Sequence, residues 1–218
     1  MKIINFSDQN SIINQYLAEI AMWSIRKTVC FSATTFNVSA RWKRMRFPRV
    51  LDYESRDIAT PLGIAKVNVP VDKTVLATIF RAGLPFHTGF LNVFDHAGNA
   101  FVSAYREYKD EEHTKVGIHV EYLATPSIDE KTLIIADPML ATGGSMELGF
   151  KAFLTKGTPK RIHGLRHRHP GRHRACEKIF PEDKTTIWCA AIDPGMNEHK
   201  YIVPGFGDAG DLCFGDKL

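Results

Sequence analysis

A carboxylate and a glycine-rich loop lie close together in one stretch of the chain. Residues 133–146 read LIIADPMLATGGSM, so an apolar run ends at Asp137 and a loop of glycine and hydroxyl residues (142–145) follows. Glycines let backbone N–H groups converge on an anion, and the N-terminus of a following helix adds its dipole. This pattern predicts a phosphate-binding loop, with Asp137 placed to accept hydrogen bonds from sugar hydroxyls. The lysine of a P-loop is missing, and a turn without a ligand is the alternative interpretation.

Two arginines near predicted strands could bind further phosphate oxygens. Arg81 comes directly after the apolar run KTVLATIF (73–80), and Arg106 lies in the strand-like NAFVSAYREY (99–108). The planar guanidinium group matches the geometry of phosphate oxygens. The alternatives are a solvated hairpin charge for Arg106 and a structural role for Arg81. No Ser/His/Asp or Cys/His set for nucleophilic catalysis stands out in the sequence.

Alternating strands and helices would position these groups. The clearest predicted strands are KTLIIAD (131–137) and TTIWCAAID (185–193), and a helix is predicted for MELGFKAFLTKG (146–157). The alternating runs 99–108 and 115–123 predict a long hairpin with a polar tip. Further predicted elements are a helix at 12–20 and strands at 28–40, 61–71 and 73–80. This order indicates an α/β fold with a mostly parallel sheet and helices on both faces.

The composition limits the class of protein. A chain of 218 residues, 44% of them hydrophobic, suits a single α/β domain with a sizeable core. The chain has neither an apolar run of about 18 residues nor a signal-peptide pattern, so we expect no membrane span and a cytoplasmic location. The four cysteines form no CxxC pair, which indicates reduced thiols. No residue is predicted to hold a metal ion directly.

The positive charge is concentrated in two blocks. Residues 21–48 contain six Lys or Arg, residues 164–175 contain four Arg, and neither block contains Asp or Glu. Because these ten charges exceed the net charge of +4, the remainder of the chain is net acidic. A general nucleic-acid-binding surface would be distributed differently, so the composition does not favour nucleic acid as a partner. Two local alternatives stay open, which are RNA binding by RWKRMRFPR (41–49) and metal binding by HRHPGRHR (167–174).

Four stretches together resemble the type I phosphoribosyltransferases, in the form found in the uracil phosphoribosyltransferase family. DPMLATGGS (137–145) resembles the motif that binds phosphoribosyl diphosphate (PRPP), and RAG (81–83) resembles the family's pyrophosphate loop. Tyr105 and Arg106 resemble the family's hairpin arginine region, and YIVPGFGDAGDLCFG (201–215) resembles its uracil-recognition segment. The motifs occur in the family's order, so the combination is more specific than any single motif.

The resemblance implies a fold and a division of the chain. The expected fold is type I phosphoribosyltransferase-like, with a mostly parallel sheet flanked by helices, a β-hairpin arm and a C-terminal base-binding hood. Residues 1–218 would form a single domain. Within it, the PRPP-binding core would span about 61–200, and the uracil-binding segment would span 201–218.

The resemblance also implies the roles of individual residues. Those expected to bind PRPP are Arg81, Arg106, Asp137, Pro138, Met139, Leu140, Ala141, Thr142, Gly143, Gly144, Ser145 and Asp208. Those expected to bind uracil are Tyr201, Ile202, Gly207, Asp208 and Ala209. The Ile202 carbonyl would accept from N3–H of the base, and the N–H groups of Gly207 and Ala209 would face its carbonyls. Asp208 and Arg106 are the residues expected to take part in catalysis.

The implied reaction is a displacement at the anomeric carbon of PRPP. Uracil N1 would attack and pyrophosphate would leave with Mg²⁺, which we expect to arrive with PRPP, and the product would be UMP. The resemblance further implies a homo-oligomer, either a dimer or a tetramer, and a GTP effector. The alternatives are a type I enzyme for another base and an RNA-binding regulator of pyrimidine genes on the same scaffold.

The two basic blocks depart from the family pattern. When a permitted back-translation of 164–175 is read one base later, it gives ASVIAIPEGIE, which is similar to the family's strand and helix at this place. A one-base shift of a permitted back-translation of 21–48 likewise gives a string with the family elements RIGE and AYEIS. We hypothesise that each block arose by a compensated frameshift in the gene or in its determined sequence. With arginines where a sheet core requires apolar residues, we expect 164–175 as written to fold poorly or to leave the sheet.

Overall fold

The computed structural model describes residues 2–5, 51–108, 116–139, 143–170, 179–199 and 201–216. Within these ranges it describes the side chains except at 104–108, 116–120 and 165–170. The helix predicted at 12–20 and the strand predicted at 28–40 lie outside the described residues, and so does the whole of the basic block 21–48, one of the two blocks behind the frameshift hypothesis.

The described residues contain eleven strands and three helices. The strands are β1 (Lys2–Asn5), β2 (Tyr53–Thr60), β3 (Gly63–Pro70), β4 (Thr74–Ile79), β5 (Gly98–Tyr108), β6 (Val116–Ala124), β7 (Thr132–Ala136), β8 (Arg161–Pro170), β9 (Thr185–Asp193), β10 (Gly195–Met196) and β11 (Ile202–Val203). The helices are α1 (Leu84–Leu91), α2 (Gly144–Leu154) and α3 (Ala209–Phe214).

Seven of these strands form one sheet in the order β1-β9-β8-β7-β4-β5-β6. Every neighbouring pair is parallel except β5 and β6, which form the antiparallel hairpin predicted at 99–123. All five residues of β7 are buried, as expected for a central strand with both faces covered. The predicted mostly parallel α/β sheet is therefore confirmed.

Helices cover both faces of the sheet and create two cores. On one face, Phe150 and Phe153 of α2 pack with Val75 and Ile79 of β4. On the other face, α1 contributes Phe86 and Phe90, which pack with Leu76 and other strand residues. Neighbouring residues of β4 thus point to opposite cores, as the twofold periodicity of a strand requires.

The observed helices differ from the predicted ones in number and length. Helix α2 begins two residues earlier than predicted, at Gly144, because Gly143 is its N-cap. It ends at Leu154, three residues earlier than the predicted end at 157. Helix α1 was not predicted, although Pro85 in its first turn is a common helix-start signal. Among the described residues, no helix has both the length and the apolar character needed to cross a bilayer.

A second hairpin stands apart from the main sheet. Strands β2 and β3 pair only with each other, from Tyr53 opposite Pro70 to Thr60 opposite Gly63. Every residue of β2 is exposed, and only Ala65 and Val69 of β3 are partly buried. The strand predicted at 61–71 is confirmed as β3, whereas its partner β2 was not predicted because YESRDIAT is largely polar.

Strand β8 keeps the first part of the second basic block in the sheet. Its backbone pairs with β9 from Ile162 to Pro170, with Arg166 opposite Cys189 and Arg168 opposite Ala191. The structure therefore does not show residues 164–170 leaving the sheet. Because the β9 residues opposite are buried, these two backbone positions are ones that would ordinarily hold apolar residues.

A buried histidine lies near the start of the same strand. The His163 side chain is enclosed, and Nε1 of Trp188 donates to its Nδ1 over 3.3 Å. Burial, helped by the nearby charge of Arg161, lowers the pKa of His163 to about 4. This histidine is therefore neutral at physiological pH and belongs to the core.

Candidate active site

The carboxyl ends of two neighbouring strands bring two of the predicted motifs together. Strands β4 and β7 are adjacent and parallel, with Thr78 of β4 level with Ala136 of β7. The Thr78 hydroxyl donates a buried 2.9 Å hydrogen bond to the Ala136 carbonyl oxygen, which ties the two strand ends together. Asp137 follows β7 directly, and Arg81 lies two residues beyond the end of β4. Ligands of parallel α/β sheets bind at this edge.

Gly83 packs the loop after β4 tightly against these strand ends. It is the N-cap residue of α1, and its N–H donates to the Ile79 carbonyl oxygen over 3.2 Å. A Cβ atom at this position would lie 2.1 Å from Thr78 Oγ1 and 2.8 Å from the Ala136 carbonyl oxygen. Glycine is therefore required in the RAG motif because there is no room for a side chain.

The loop after β7 is described at its two ends. Asp137 is 8% exposed and Pro138 is buried, while Met139 is partly buried. Leu140, Ala141 and Thr142, which were predicted to bind PRPP, lie outside the described residues. The structure thus places Asp137 at the end of a buried strand, as predicted.

The far end of this loop starts helix α2 in the expected way. Gly143 adopts the left-handed conformation with φ of 82° and is the N-cap, which glycine accepts without a steric penalty. Helix α2 begins at Gly144, and Ser145 is exposed in its first turn. The first N–H groups of a helix have no intrahelical acceptor and carry partial positive charge. This end of the loop therefore has the geometry of an anion-binding helix N-terminus.

The predicted uracil segment begins with a small antiparallel ladder. Strands β10 and β11 pair, with Met196 opposite Ile202. The turn between them is closed by two hydrogen bonds of 2.9 Å, from Asn197 N–H to the Tyr201 carbonyl and from Tyr201 N–H to Asn197 Oδ1. The Ile202 side chain is buried and the Tyr201 side chain is exposed. Tyr201 is thus available to line a pocket, whereas the Ile202 side chain anchors the segment.

Two glycines turn the chain after β11. Gly205 has φ of 50° and Gly207 has φ of 83°, both in the region that favours glycine. A Cβ atom on Gly205 would lie 2.0 Å from the Ile202 carbonyl oxygen. The chain therefore folds back closely over the carbonyl that is predicted to read the base.

Asp208 and Ala209 start helix α3. Asp208 is its N-cap residue, and its Oδ1 accepts from the Asp211 N–H over 3.0 Å. Ala209, the first helical residue, is fully buried. Capping is a structural function of Asp208, and it comes in addition to the binding and catalytic roles predicted for this residue.

Helix α3 contacts the arginine of the first motif. Arg81 Nη2 donates to Asp211 Oδ1 over 2.6 Å and to the Gly215 carbonyl oxygen over 2.9 Å. The guanidinium carbon also lies 5.9 Å from the centre of the Phe214 ring. The ion pair is only partly exposed, with about one third of each side chain accessible (34% and 32%). The C-terminal segment and the pyrophosphate-like loop are therefore in direct contact.

A small apolar cluster connects the RAG loop, the loop after β7 and the C-terminal segment. Its buried members are Phe206, Ala209 and Cys213 of the C-terminal segment. Ala82 of the RAG loop and Met139 of the loop after β7 pack against it. Stretches that are more than 50 residues apart in the chain therefore meet at one place on the sheet edge.

Arg106 is placed by the backbone of the β5–β6 hairpin. It is paired with Ile118, and it lies four residues beyond Val102, which is level with the end of β4 at Ile79. Four strand residues span roughly 13 Å, so the hairpin carries position 106 past the edge where the other motifs meet. The Arg106 side chain is outside the described part of the structure.

The Cys213 thiol and the metal-ligating residue types bear on whether this edge contains a nucleophile or a metal centre. Burial, with a further contribution from Asp208, raises the pKa of Cys213 to about 12, so this thiol is not a thiolate at neutral pH. Within the described ranges, no group of three His, Cys, Asp or Glu side chains could hold a metal ion. The polar groups at this edge suit the binding of a charged ligand and the stabilisation of a leaving group.

Sequence reasoning missed two residues of this site. Asp211 was not singled out, because its partner Arg81 is 130 positions away in the chain. Gly205 was not singled out either, although a glycine directly after a proline is a recognised turn signal. Helix α3 was not predicted, since its six residues are too few to show a helical period.

Comparison with known sequences identifies the family. A model of the family described as uracil phosphoribosyltransferase matches residues 21–216. A uracil phosphoribosyltransferase of Porphyromonas gingivalis is 49% identical, and the match covers 100% of both chains. A uracil phosphoribosyltransferase of Methanothermobacter thermautotrophicus is 35% identical over 80% of this chain and 79% of its own length.

Comparison with solved structures agrees with the fold. A protein of Aquifex aeolicus matches with a TM-score of 0.80 and 24% identity over 99% of both chains. An orotate phosphoribosyltransferase of Mycobacterium tuberculosis, solved in complex with PRPP, matches with a TM-score of 0.50 and 11% identity over 87% of this chain and 94% of its own. At these identities the likeness supports the fold alone, and the type I phosphoribosyltransferase-like fold is confirmed. With the family match and the sequence relatives, the chain belongs to the uracil phosphoribosyltransferase family.

Proposed function

We propose that this chain transfers the phosphoribosyl group of PRPP to uracil and so forms UMP and pyrophosphate. The observation that carries the proposal is the meeting of the RAG loop, the loop after β7 and the C-terminal segment at one sheet edge. The Arg81–Asp211 contact and the packing of Ala82 and Met139 on the C-terminal cluster support it. The uracil phosphoribosyltransferase relatives supply the identity of the base.

The proposed chemistry is one displacement at the anomeric carbon of PRPP. A bond forms between uracil N1 and that carbon, the bond from the carbon to the pyrophosphate oxygen breaks, and the N1 proton is released to water. Positive charge builds on the ribose and negative charge builds on the leaving oxygens in the transition state. The protein therefore accelerates the reaction by holding both reactants in line and by placing positive charge at the leaving group.

The PRPP half of the site is assigned to the sheet edge. The 5′-phosphate would lie on the loop 142–145 at the N-terminus of α2, where N–H groups converge. Asp137 would accept hydrogen bonds from the ribose hydroxyls. Arg81 and Arg106 would bind the pyrophosphate, and Mg²⁺ bound to the substrate would neutralise part of its charge. Pro138 and Met139 would fix the path of the loop.

The uracil half of the site is assigned to the C-terminal segment. The Ile202 carbonyl would accept from N3–H of the base, and the N–H groups of Gly207 and Ala209 would donate to its two carbonyls. The Ala209 N–H has no intrahelical acceptor because it lies in the first turn of α3. Cytosine has an acceptor at N3, so it would leave buried groups unpaired at about 1–3 kcal/mol each.

The decisive test is PRPP-dependent formation of UMP, with cytosine, hypoxanthine and orotate as competing bases. We expect turnover of uracil alone. Asp137→Asn should lower kcat/KM by about 10- to 150-fold, since a hydrogen bond donated to a charged group contributes about 1.5–3 kcal/mol. Asp95→Asn, an exposed position between α1 and β5, is the matched control and should keep full activity. If folded protein does not turn over uracil, or if it prefers another base, the proposed function is wrong.

We also propose that the chain assembles into a homo-oligomer through the β2–β3 hairpin. Ile58 and Val67 are both 42% exposed and lie with Ala65 on one face of this hairpin. The same face carries the Glu54–Arg56 ion pair. A two-stranded hairpin alone is only marginally stable in water, so the apolar positions of this face would gain from packing on a second copy. Sedimentation of Ile58→Glu should show smaller particles than wild type, whereas Asn68→Glu on the opposite face should not.

Three further expectations stay predictions. GTP activation can be checked by titrating GTP into the uracil assay, and a cytoplasmic location can be checked by cell fractionation. The single domain with a PRPP-binding core at about 61–200 and a uracil-binding segment at 201–218 can be checked by limited proteolysis.

A further inference from the structure

The guanidinium group of Arg81 is held from one side by helix α3 and the residue that follows it. Its Nη2 atom donates to two acceptors, Asp211 Oδ1 at 2.6 Å and the Gly215 carbonyl oxygen at 2.9 Å. The Phe214 ring lies 5.9 Å from the guanidinium carbon. A guanidinium group has five N–H donors, and both of those on Nη2 are directed at α3 and its C-cap. The donors on Nη1 therefore set the direction in which Arg81 can bind a ligand.

Helix α3 is itself a well-fixed support. The Asp208 side chain caps it through the Asp211 N–H, and its buried face, Ala209 and Cys213, packs with Phe206. Gly210 lies against Arg81, because a Cβ atom there would be 3.5 Å from Arg81 Nε and 3.0 Å from Asp208 Oδ1. Arg81 thus rests on a helix whose first residues are the ones assigned to uracil.

We propose that Asp211 is a positioning residue, which orients Arg81 toward the pyrophosphate group and so links the uracil segment to pyrophosphate binding. This inference rests on the proposed function. Arginine loses rotamer freedom when it binds a ligand, and a side chain that is already fixed loses less. Asp211 and the Gly215 carbonyl fix the side chain before the ligand arrives, while the guanidinium group stays partly exposed at the sheet edge.

The opposite role for Asp211 makes an opposite prediction. A carboxylate that competed with pyrophosphate for Arg81 would weaken binding, and its removal would tighten it. The geometry favours positioning, because the Gly215 carbonyl binds the same Nη2 atom as Asp211. Because Nε also lies against Gly210 of α3, it is Nη1 that remains for the ligand.

The test compares Asp211→Asn with Asp216→Asn. Both variants remove one negative charge from the C-terminal segment, but Asp216 is an exposed residue beyond α3. For Asp211→Asn we expect the KM for PRPP and the Kd for Mg-pyrophosphate to rise together by roughly 2- to 13-fold, the range for fixing one long side chain. The KM for uracil should change by less than about twofold, the lower end of that range. Asp216→Asn should match wild type in all three values.

A double-variant cycle shows whether Asp211 acts through Arg81. In an Arg81→Lys background, Asp211→Asn should have a smaller effect on Mg-pyrophosphate binding than in wild type, because lysine cannot make the same paired contacts. Equal effects in both backgrounds, or tighter pyrophosphate binding by Asp211→Asn, would overturn the proposal. Urea unfolding of each variant identifies any loss of folding.

Calorimetry with Mg-pyrophosphate tests the role of Asp211 independently of uracil turnover, so failure of this proposal can be distinguished from failure of the proposed function. If the wild-type chain fails to turn over uracil but binds Mg-pyrophosphate, the proposed function fails while the comparison of Asp211→Asn with Asp216→Asn still decides the role of Asp211. If wild type binds no Mg-pyrophosphate at all, both proposals are wrong.

Discussion

Replacing Gly83 with alanine would place a methyl group where the two strand ends leave no space. The new Cβ atom would lie 2.1 Å from Thr78 Oγ1 and 2.8 Å from the Ala136 carbonyl oxygen. Gly83 has φ of −75°, which alanine adopts easily, so backbone strain is not the cause of the expected effect. The overlap involves a hydroxyl and a carbonyl that are hydrogen-bonded to each other.

The size of the effect follows from the two ways in which the overlap can be relieved. Thr78 can rotate and break its hydrogen bond to Ala136, or the loop that carries Arg81 can shift outward. The first route costs about 1–3 kcal/mol for the broken buried hydrogen bond and the second costs about 1–3 kcal/mol for overpacking, so by either route the free energy of unfolding should fall by about 1–3 kcal/mol. A shift of about 1 Å at Arg81 should also lower kcat/KM by about a hundredfold.

Urea unfolding and the uracil assay together measure both consequences. Gly195→Ala is the matched control, because a Cβ atom on Gly195 would meet nothing within 4 Å. We expect the control to stay within about 0.5 kcal/mol of wild type, as is usual at open positions. If Gly83→Ala unfolds at the wild-type urea concentration with unchanged activity, the inferred close packing of the loop is wrong.

Three further perturbations test other parts of the structure. Because burial lowers the pKa of His163 to about 4, the unfolded state binds a proton below pH 6.5 that the folded state does not. The free energy of unfolding should therefore fall by about 3 kcal/mol from pH 6.5 to 4, and an equal fall in His163→Gln would contradict this. Gly205→Ala puts alanine at a φ of 50° and its Cβ atom 2.0 Å from the Ile202 carbonyl oxygen. The free energy of unfolding should therefore fall by more than the roughly 1–2 kcal/mol of backbone strain alone, and the KM for uracil should rise about tenfold; an unchanged KM in steady-state assays would contradict this. If the arginines at 166 and 168 destabilise the sheet, replacing residues 164–174 by ASVIAIPEGIE should raise Tm by roughly 10 °C in calorimetry. A lower Tm would count against the frameshift hypothesis.

The sheet could be predicted because its strands carry their own signal. Runs such as TLIIA and TTIWCAAID are apolar on both faces, as central parallel strands must be. Strand β2 gives no such signal, since it packs on no core and its sequence YESRDIAT is free to be polar. Local patterns thus predict the central apolar strands, and they miss the polar strand β2 and the short helix α1.

The site could be predicted as motifs but not as contacts. The loop 137–145 and the RAG stretch are each a continuous stretch of sequence. Their glycines indicate directly where the backbone needs a positive φ or leaves no room for a side chain. The contact between Arg81 and Asp211 joins residues 130 positions apart, and no periodicity or spacing encodes it. The choice of partner for a charged side chain is decided by the tertiary fold, and so Asp211 was found only in the structure.

The short strand β1 has a consequence for the whole sheet. Its four residues lie at one edge and pair with β9, whose residues are buried almost throughout. Without β1, the backbone N–H and C=O groups along this side of β9 would be open to pairing with another chain, on a long and apolar strand. Residues 2–5 thus protect the protein from edge-to-edge aggregation. A truncation or fusion at these residues would lower solubility before it lowered activity, because the candidate active site lies at the carboxyl ends of β4 and β7, away from β1.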